Sequence, residues 1–379
     1  MRRARVGIVG GGLSGLYAAY LLQAHGIDYV LLEARNRLGG RILSVSPDGI
    51  GVAPETITNR FDLGPSWFWP EFQPQLDALI NSLGLKRFEQ PGQGDAFIER
   101  AVDSLPVRVP SFHSAPSSFR LLGGMSALVD ALVESLDPAK LIVGTPVRHM
   151  KIDGSCVIIE CQSGDDEVQH WAVEHVLLAV PPRIAAQNLI FEPMLPNEII
   201  QSWRATATWM APHAKYVAVY EADFWSGEGL SGQARSTVGP MVEMHDASVP
   251  GGHAALFGFL GVTAQARKRL SLQQIKAMCR DQLVRIFGPQ AGTPTAEFLQ
   301  DWSTELFTAT AEDLFVGDHH PMRLEAEVKF APWAGRLRCI ASEWSHQFPG
   351  YLAGAVETTE KAVFEVVGGQ NKLNTGITS

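Results

Sequence analysis

The sequence predicts an α/β fold in which a parallel sheet, opened by a β-α-β unit, is interleaved with a smaller α+β part carrying a mixed sheet. Three observations predict it. The chain has 379 residues, at roughly 150 per domain enough for two or three domains or for two interleaved ones. Apolar residues make up 46% and charged residues 19%, so a large core can be buried and a disordered chain is excluded. A short apolar run enters a glycine-rich turn and a helix near the start, whereas residues 203–306 combine strand-like runs with a long amphipathic helix.

Arg5-Val-Gly-Ile-Val9 has the composition of a buried parallel strand and leads into Gly10-Gly-Gly12-Leu13-Ser14-Gly15, a G-x-G-x-x-G. The helix that follows carries Leu16, Ala19 and Leu22 on its apolar face and closes near Gly26. Tyr29–Leu32 is the second strand, with Glu33 at its end. Gly10 permits the tight turn, Gly12 lets a pyrophosphate approach the backbone, and Gly15 lets helix and strand pack closely. The helix N-terminus offers free N–H groups and partial positive charge to phosphates. Glu33, 18 residues beyond Gly15, can accept both hydroxyls of an adenosine ribose and would repel a 2′-phosphate, which argues against NADP. Strand, turn, helix and acid together form a Rossmann-like dinucleotide fingerprint. Arg35-Asn-Arg37-Leu-Gly39-Gly40-Arg41 comes next; its paired glycines allow close approach to a ligand, and Arg35 and Arg41 can meet the second phosphate and ribityl side of a long cofactor.

Further elements follow from the same patterns. Gly123–Gly124 opens a helix through Leu136, and Leu141–Val143 reads as a strand. A hairpin pairs Val147–Ile152 with Val157–Cys161 and turns at Asp153–Gly154. The run His175–Val180, ending in Pro181–Pro182, returns the chain to the parallel sheet. In the second part, Lys215–Tyr220 and Ala254–Leu260 read as strands, and Leu272–Phe287 as a helix with Ile275, Met278, Leu283 and Ile286 on its apolar face. Phe88 to Phe119, rich in Pro, Ser and Gln, reads as loop. The expected division is 1–72, 119–202 and 307–379 for the dinucleotide part, and 73–118 with 203–306 for the other.

Several function classes are excluded. Acids outnumber bases by 40 to 31, and the basic residues gather only in short clusters such as Arg2–Arg3–Arg5 and Arg267–Lys268–Arg269, so a nucleic-acid groove or anionic membrane surface is not expected. The longest apolar runs, such as Ala254–Thr263, are far shorter than the roughly 20 residues a spanning helix needs. No apolar signal core precedes the glycines and the tail Gln370–Ser379 is polar, so a cytoplasmic protein without a membrane anchor is expected. Cys156, Cys161, Cys279 and Cys339 are too scattered for a disulfide framework. Cys156 and Cys161 differ in parity along one strand and would point to opposite faces. The pair His319–His320 lacks metal-helix spacing, and no metal is expected.

Six blocks carry a wider resemblance: Ile8-Val-Gly-Gly-Gly-Leu-Ser-Gly15, Glu33-Ala34-Arg-Asn-Arg-Leu-Gly-Gly-Arg41, Phe61-Asp-Leu-Gly64-Pro65-Ser66-Trp67, Gly123-Gly-Met-Ser-Ala-Leu128, Val176-Leu-Leu-Ala-Val-Pro-Pro182 and Gly350-Tyr-Leu-Ala-Gly-Ala-Val-Glu357. In this order they resemble the flavin-dependent amine oxidase family, which includes monoamine and polyamine oxidases. The resemblance implies a Rossmann-like FAD-binding part and a substrate part. FAD would be held by Gly10, Gly12, Leu13, Ser14, Gly15, Glu33, Ala34, Arg35, Gly39, Gly40, Arg41, Gly64, Pro65, Ser66 and Trp67. It further implies that the Val147 backbone meets the adenine, that Glu343 of Ala341-Ser-Glu343 meets the ribityl or phosphate side, and that the amides of Leu352 and Ala353 stabilise negative charge on the flavin. Three residues are implied in catalysis: Lys215, which in the family reaches the flavin N5 through a water, Trp302 near the flavin, and Tyr351 as one wall of an aromatic substrate cage.

Three departures from the pattern shape the remaining expectations. Thr308-Ala-Thr-Ala-Glu312 holds no cysteine where some family members attach FAD, so the cofactor is expected to be non-covalent. The opposing cage tyrosine is missing from the same segment, leaving Phe315, Trp344, Trp67 or no residue as the second wall. The helical subdomain that usually precedes the Gly-Gly-Met block is absent, so the site is expected to be covered by a second copy in a homo-oligomer or by a folded-over loop. The resemblance implies oxidation of a primary or secondary amine to an imine, with dioxygen reduced to hydrogen peroxide. Trp67–Phe68–Trp69 suggests an apolar or aromatic amine. A flavin-dependent dehydrogenase, desaturase or isomerase of a hydrophobic substrate, and a flavin-binding module without turnover, remain open at this point.

Overall fold

The Val6–Val9 strand lies at the centre of a five-stranded parallel sheet in the order Leu141–Ile142, Tyr29–Leu32, Val6–Val9, His175–Leu178, Leu337–Cys339. The structure, a computed structural model, describes residues 1–49, 59–112, 114–162, 167–314 and 324–375. Side-chain alternation assigns the two faces of this sheet. Val6, Ile8, Tyr29, Leu31 and Leu177 pack into a core with the helices Leu13–Ala24, Ser126–Glu134 and Leu352–Thr375. Val9, Val30, Leu32, Val176 and Leu178 pack on the other side against the antiparallel strands Val147–Asp153, Cys156–Gln162 and Val168–Val173. With both faces covered, the central strands Val6–Val9 and Tyr29–Leu32 are buried and apolar throughout. The hairpin between the first two of those antiparallel strands turns at Gly154–Ser155, one residue later than expected, because Asp153 still pairs with Cys156. Cys156 is partly exposed and Cys161 buried, on alternate sides of their strand; all four cysteines are free thiols.

A second, seven-stranded sheet runs in the order Ala296–Asp301, Ala214–Tyr220, Ala254–Leu260, Met241–Asp246, Leu230–Ser236, Asp95–Glu99, Val107–Pro110. It is mixed: Leu230–Ser236 and Asp95–Glu99 pair in parallel, the other neighbours antiparallel. On the Ala214–Tyr220 strand, Tyr216, Ala218 and Tyr220 face the core beneath the Leu272–Phe287 helix. Lys215, Val217 and Val219 share the opposite parity, and the two valines pack with Leu43, Phe61, Leu63 and Trp302 from beside the parallel sheet. That parity turns Lys215 toward the dinucleotide side of the molecule.

Two expectations are corrected here. Residues 88–119 are not loop throughout: Arg87–Glu89 pairs with Phe119–Leu121, and Asp95–Glu99 and Val107–Pro110 extend the seven-stranded sheet. The last two strands are short and join the sheet only through Leu230–Ser236, far along the chain, so local composition hides them; Glu99, buried against Ser236 and Arg285, fixes the innermost one. The Leu272–Phe287 helix has the bounds expected, set by a Ser271–Gln274 capping box, but Met278 does not belong to its apolar face. It is exposed, and Cys279, in step with Ile275, Leu283 and Ile286, takes the buried position. Among the described residues no helix is long and apolar enough to cross a membrane, and no three His, Cys, Asp or Glu side chains gather to hold a metal.

Candidate active site

A cavity of about 400 Å³ begins at the first glycine turn and ends between the two sheets. At its beginning, the strand Val6–Val9 gives way to the helix Leu13–Ala24 through Gly10, whose φ of 107° suits glycine alone, and a side chain at Gly15 would lie 1.9 Å from the Gly10 carbonyl oxygen. Gly15 thus works beneath the surface, while Gly10, Gly12, Leu13 and Ser14 line the cavity. The Gly39 N–H donates to Gly11 O at 2.8 Å and brings the Gly39–Gly40 turn alongside Gly12. Arg37 braces that turn by donating to Gly40 O at 2.9 Å. Glu33, buried, accepts from Gly11 N at 2.6 Å and Arg35 N at 2.8 Å, which leaves lone pairs on both oxygens for further donors. Ala34, Arg35 and Val147 complete this end. Arg35 is itself held by Glu305 and by Thr308 Oγ1 at 2.8 Å.

Arg41 lines the middle of the cavity. Glu343 does not reach the lining: buried behind Arg41, it accepts a two-pronged hydrogen bond, Nη1 to Oε1 at 2.6 Å and Nη2 to Oε2 at 3.1 Å. Ala353 also lies in the core rather than the lining, while Tyr351 and Leu352 stand at the wall where the Leu352–Thr375 helix begins. The first N–H groups of that helix have no partner within it. An extended cavity with glycines at one end, a cationic Arg41 midway and two helix N-termini suits a dinucleotide with a second aromatic group.

At the far end Gly64, Pro65, Ser66 and Trp67 meet Lys215. Lys215 is 2% exposed and lies on an interior strand of the mixed sheet. Its Nζ donates to Ser66 Oγ at 2.5 Å and Gly64 O at 3.2 Å and sits 4.0 Å from the Phe257 ring centroid. Burial pulls its pKa down to about 7, opposed by the Asp62 carboxylate and reinforced by the Arg120 guanidinium. Trp302 is buried and donates Nε1–H to Leu63 O at 3.0 Å, which fixes its ring at the cavity wall. Trp67 donates to Gln90 Oε1 at 2.7 Å, and Gln90 donates on to Asp246 O at 2.8 Å.

The aromatic walls differ in part from expectation. Trp344 is 1% exposed and packs edge-on to Trp203 inside the protein, so it is not a wall; the tight tryptophan cluster there leaves it no path to the cavity. Trp67 does line the cavity, and Phe315 falls outside the described residues. Sequence reading missed Trp209, which stacks on Tyr351 with ring centroids 5.9 Å apart at 27°. Both rings line the cavity and are 42% exposed. No signal in the sequence could have found Trp209: the constrained loop just before the Lys215 strand shows only in the backbone, where Met210 has a φ of 65°.

The family description "Flavin containing amine oxidoreductase" matches residues 100–367, and that of an NAD(P)-binding Rossmann-like domain matches residues 8–83. The probable flavin-containing monoamine oxidase A of Dictyostelium discoideum is 22% identical over 457 residues, covering 93% of this chain and 94% of that protein. The putrescine oxidase of Kocuria rosea is 22% identical over 476 residues, covering 95% and 94%. Among solved structures, putrescine oxidase bound to putrescine superposes with a TM-score of 0.77 at 20% identity, covering 97% of this chain and 99% of that one. Cyclohexylamine oxidase from Brevibacterium oxydans superposes with a TM-score of 0.78 at 21% identity over the same shares. The structures share the fold, and the family match spans most of the sequence: the chain belongs to the flavin-containing amine oxidoreductases and is an FAD-dependent enzyme that oxidises amines.

Proposed function

We propose that the substrate is a primary or secondary monoamine with an apolar or aromatic substituent, oxidised to an imine that hydrolyses to an aldehyde. Bound FAD supplies the two-electron relay, taking hydride from the amine α-carbon and yielding the electrons to dioxygen, which with two protons becomes hydrogen peroxide. The cofactor is held without a covalent bond to cysteine: none of the four cysteines is in the cavity lining. Gly10, Gly12, Leu13 and Ser14 receive its phosphates, Glu33 its ribose and Arg41, set by Glu343, its midsection. The four free thiols suit a reducing cytoplasm.

The observation that carries this reading is Lys215: a buried ammonium, held by Ser66 and Gly64 at the cavity's inner end among aromatic rings. There it holds charge and a proton at Nζ where negative charge develops. Trp302 and Trp67 fix the walls beside it, and Tyr351 with Trp209 forms the outer aromatic wall. An apolar wall disfavours the ammonium form of the substrate, so the amine enters neutral and needs no protein base. Glu33 is the one carboxylate among the described lining residues and lies at the glycine end, so the distal cation of a diamine meets no counter-charge near Lys215. Ser114 Oγ accepts from Trp69 Nε1–H at 3.1 Å, which ties the 114–118 loop to a residue of the lining.

The test is anaerobic mixing of the yellow protein with benzylamine, cyclohexylamine and putrescine, followed by air. The two monoamines are expected to bleach the flavin, with stoichiometric peroxide on reoxidation. Failure of every amine to bleach it rules the substrate class out.

A further inference from the structure

The loop that carries Trp209 is fixed on both sides of it. Thr208, buried, donates its N–H to Asp313 Oδ1 at 3.1 Å. That carboxylate is buried too, and is held by Arg183 Nη1 at 2.5 Å and by Thr310 N and Oγ1, each at 2.9 Å. Met210 is, among the described residues, the one non-glycine with a positive φ, and its carbonyl oxygen accepts from His213 N at 3.0 Å. Ala211, also buried, closes the turn by donating to Thr208 O at 3.1 Å. The Trp209 carbonyl oxygen accepts from Arg41 Nη1 at 3.3 Å, and a side chain at Gly350 would lie 2.6 Å from Trp209 Cβ, so the loop is seated directly on the turn before Tyr351. A methionine in the left-handed region is costly and persists only where its surroundings hold it. What this clamped turn presents is a large aromatic ring, half-exposed at the cavity wall although the residues around it are buried.

The spacing of that ring from Tyr351 decides how a ligand can use it. Carbon atoms in contact are about 3.5–4.0 Å apart, so a group held between two facing rings needs them about 7 Å apart or more. The Trp209 and Tyr351 centroids are 5.9 Å apart at 27°, an offset stack with the rings against each other. They leave no slot between them and are not two facing walls of a cage. Together they make one surface, the Tyr351 wall continued by the indole. A flat ring lies on such a surface by offset stacking, whereas a flexible alkyl chain covers less of it and loses more rotational freedom.

We propose that Trp209 is a specificity-determining residue: with Tyr351 it forms a preset aromatic ledge that takes the planar substituent of the amine and favours arylalkylamines over acyclic alkylamines. This rests on the monoamine reading above and narrows it. Because the turn is already ordered, binding does not have to order it, and the ledge acts on KM more than on kcat.

The experiment compares Trp209→Leu, which keeps an apolar side chain without a ring, and Trp209→Phe, which keeps a smaller ring, with the parent protein, all loaded with FAD. The ratio of kcat/KM for benzylamine to that for n-butylamine is expected to fall about tenfold in Trp209→Leu and about threefold in Trp209→Phe, through KM for benzylamine. A binding measurement without turnover accompanies it: benzyl alcohol, which carries the ring but no amine, is titrated into the oxidised protein and followed by the flavin spectrum. Its Kd should rise about tenfold in Trp209→Leu. An unchanged ratio with an unchanged Kd overturns the proposal, and so does a loss confined to kcat and equal for both amines, which marks a purely structural role. If Trp209→Leu does not load flavin, an unchanged ratio and Kd in Trp209→Phe overturn it instead. Should neither amine bleach the parent flavin, the monoamine reading falls, while the benzyl alcohol titrations still decide the role of Trp209.

Discussion

A lysine ammonium among phenylalanines persists because Ser66 Oγ and Gly64 O accept two of its protons and the Phe257 face lies beneath it. Its acid range near neutrality has a kinetic consequence. Protonated Lys215 stabilises developing negative charge, so reoxidation should slow as pH rises through about 7. Reduction by substrate should accelerate over the same range, because more amine is neutral. Separate stopped-flow profiles of the two half-reactions check these opposite signs. Lys215→Met should slow reoxidation on the order of 10²-fold at pH 6.5 or below, roughly the effect of removing one preorganised donor, with bleaching little changed. Glu343 acts one layer back. Glu343→Gln breaks the two-pronged hold on Arg41 and is expected to weaken FAD binding by about tenfold or more, read by fluorescence titration of the apoprotein.

At the level of elements, contacts decide what composition leaves ambiguous. Gly15→Ala would push a methyl group into the Gly10 carbonyl oxygen and part the first helix from its strand; loss of flavin loading and a drop in Tm of about 5 °C or more are expected. On the Leu272–Phe287 helix, Met278→Lys should change stability by no more than about 0.5 kcal/mol, whereas Cys279→Lys buries an unpaired charge and should cost roughly 3 kcal/mol or more, both measurable by urea titration. That contrast also shows where sequence reading ends. The β-α-β start, its terminal Glu33 and the capped helix were legible because each is a local pattern with a local cause. Asp95–Glu99 was not, since it joins its sheet through Leu230–Ser236, more than a hundred residues away, and its near partner Val107–Pro110 is short and mostly exposed, with no apolar pattern to show it. Lys215 could be picked out from its block, but Trp209 could not, because its value comes from a loop that places it against Tyr351.

Across the whole molecule, the cavity draws its glycine end from one sheet and its lysine end from the other, so selectivity depends on how the two sheets meet. With apolar rings near Lys215 and Glu33 at the opposite end, benzylamine should exceed putrescine in kcat/KM by about tenfold or more; equal values would contradict the proposed monoamine preference. The parallel sheet is assembled from segments that begin at Val6 and finish at Cys339. During synthesis, the Val6–Val9 and Tyr29–Leu32 strands leave the ribosome hundreds of residues before Leu337–Cys339 closes the edge of their sheet. Nascent chains therefore carry an incomplete cofactor cradle until residues 341–355, the last of its lining, have been made, and flavin can be captured in full only after them.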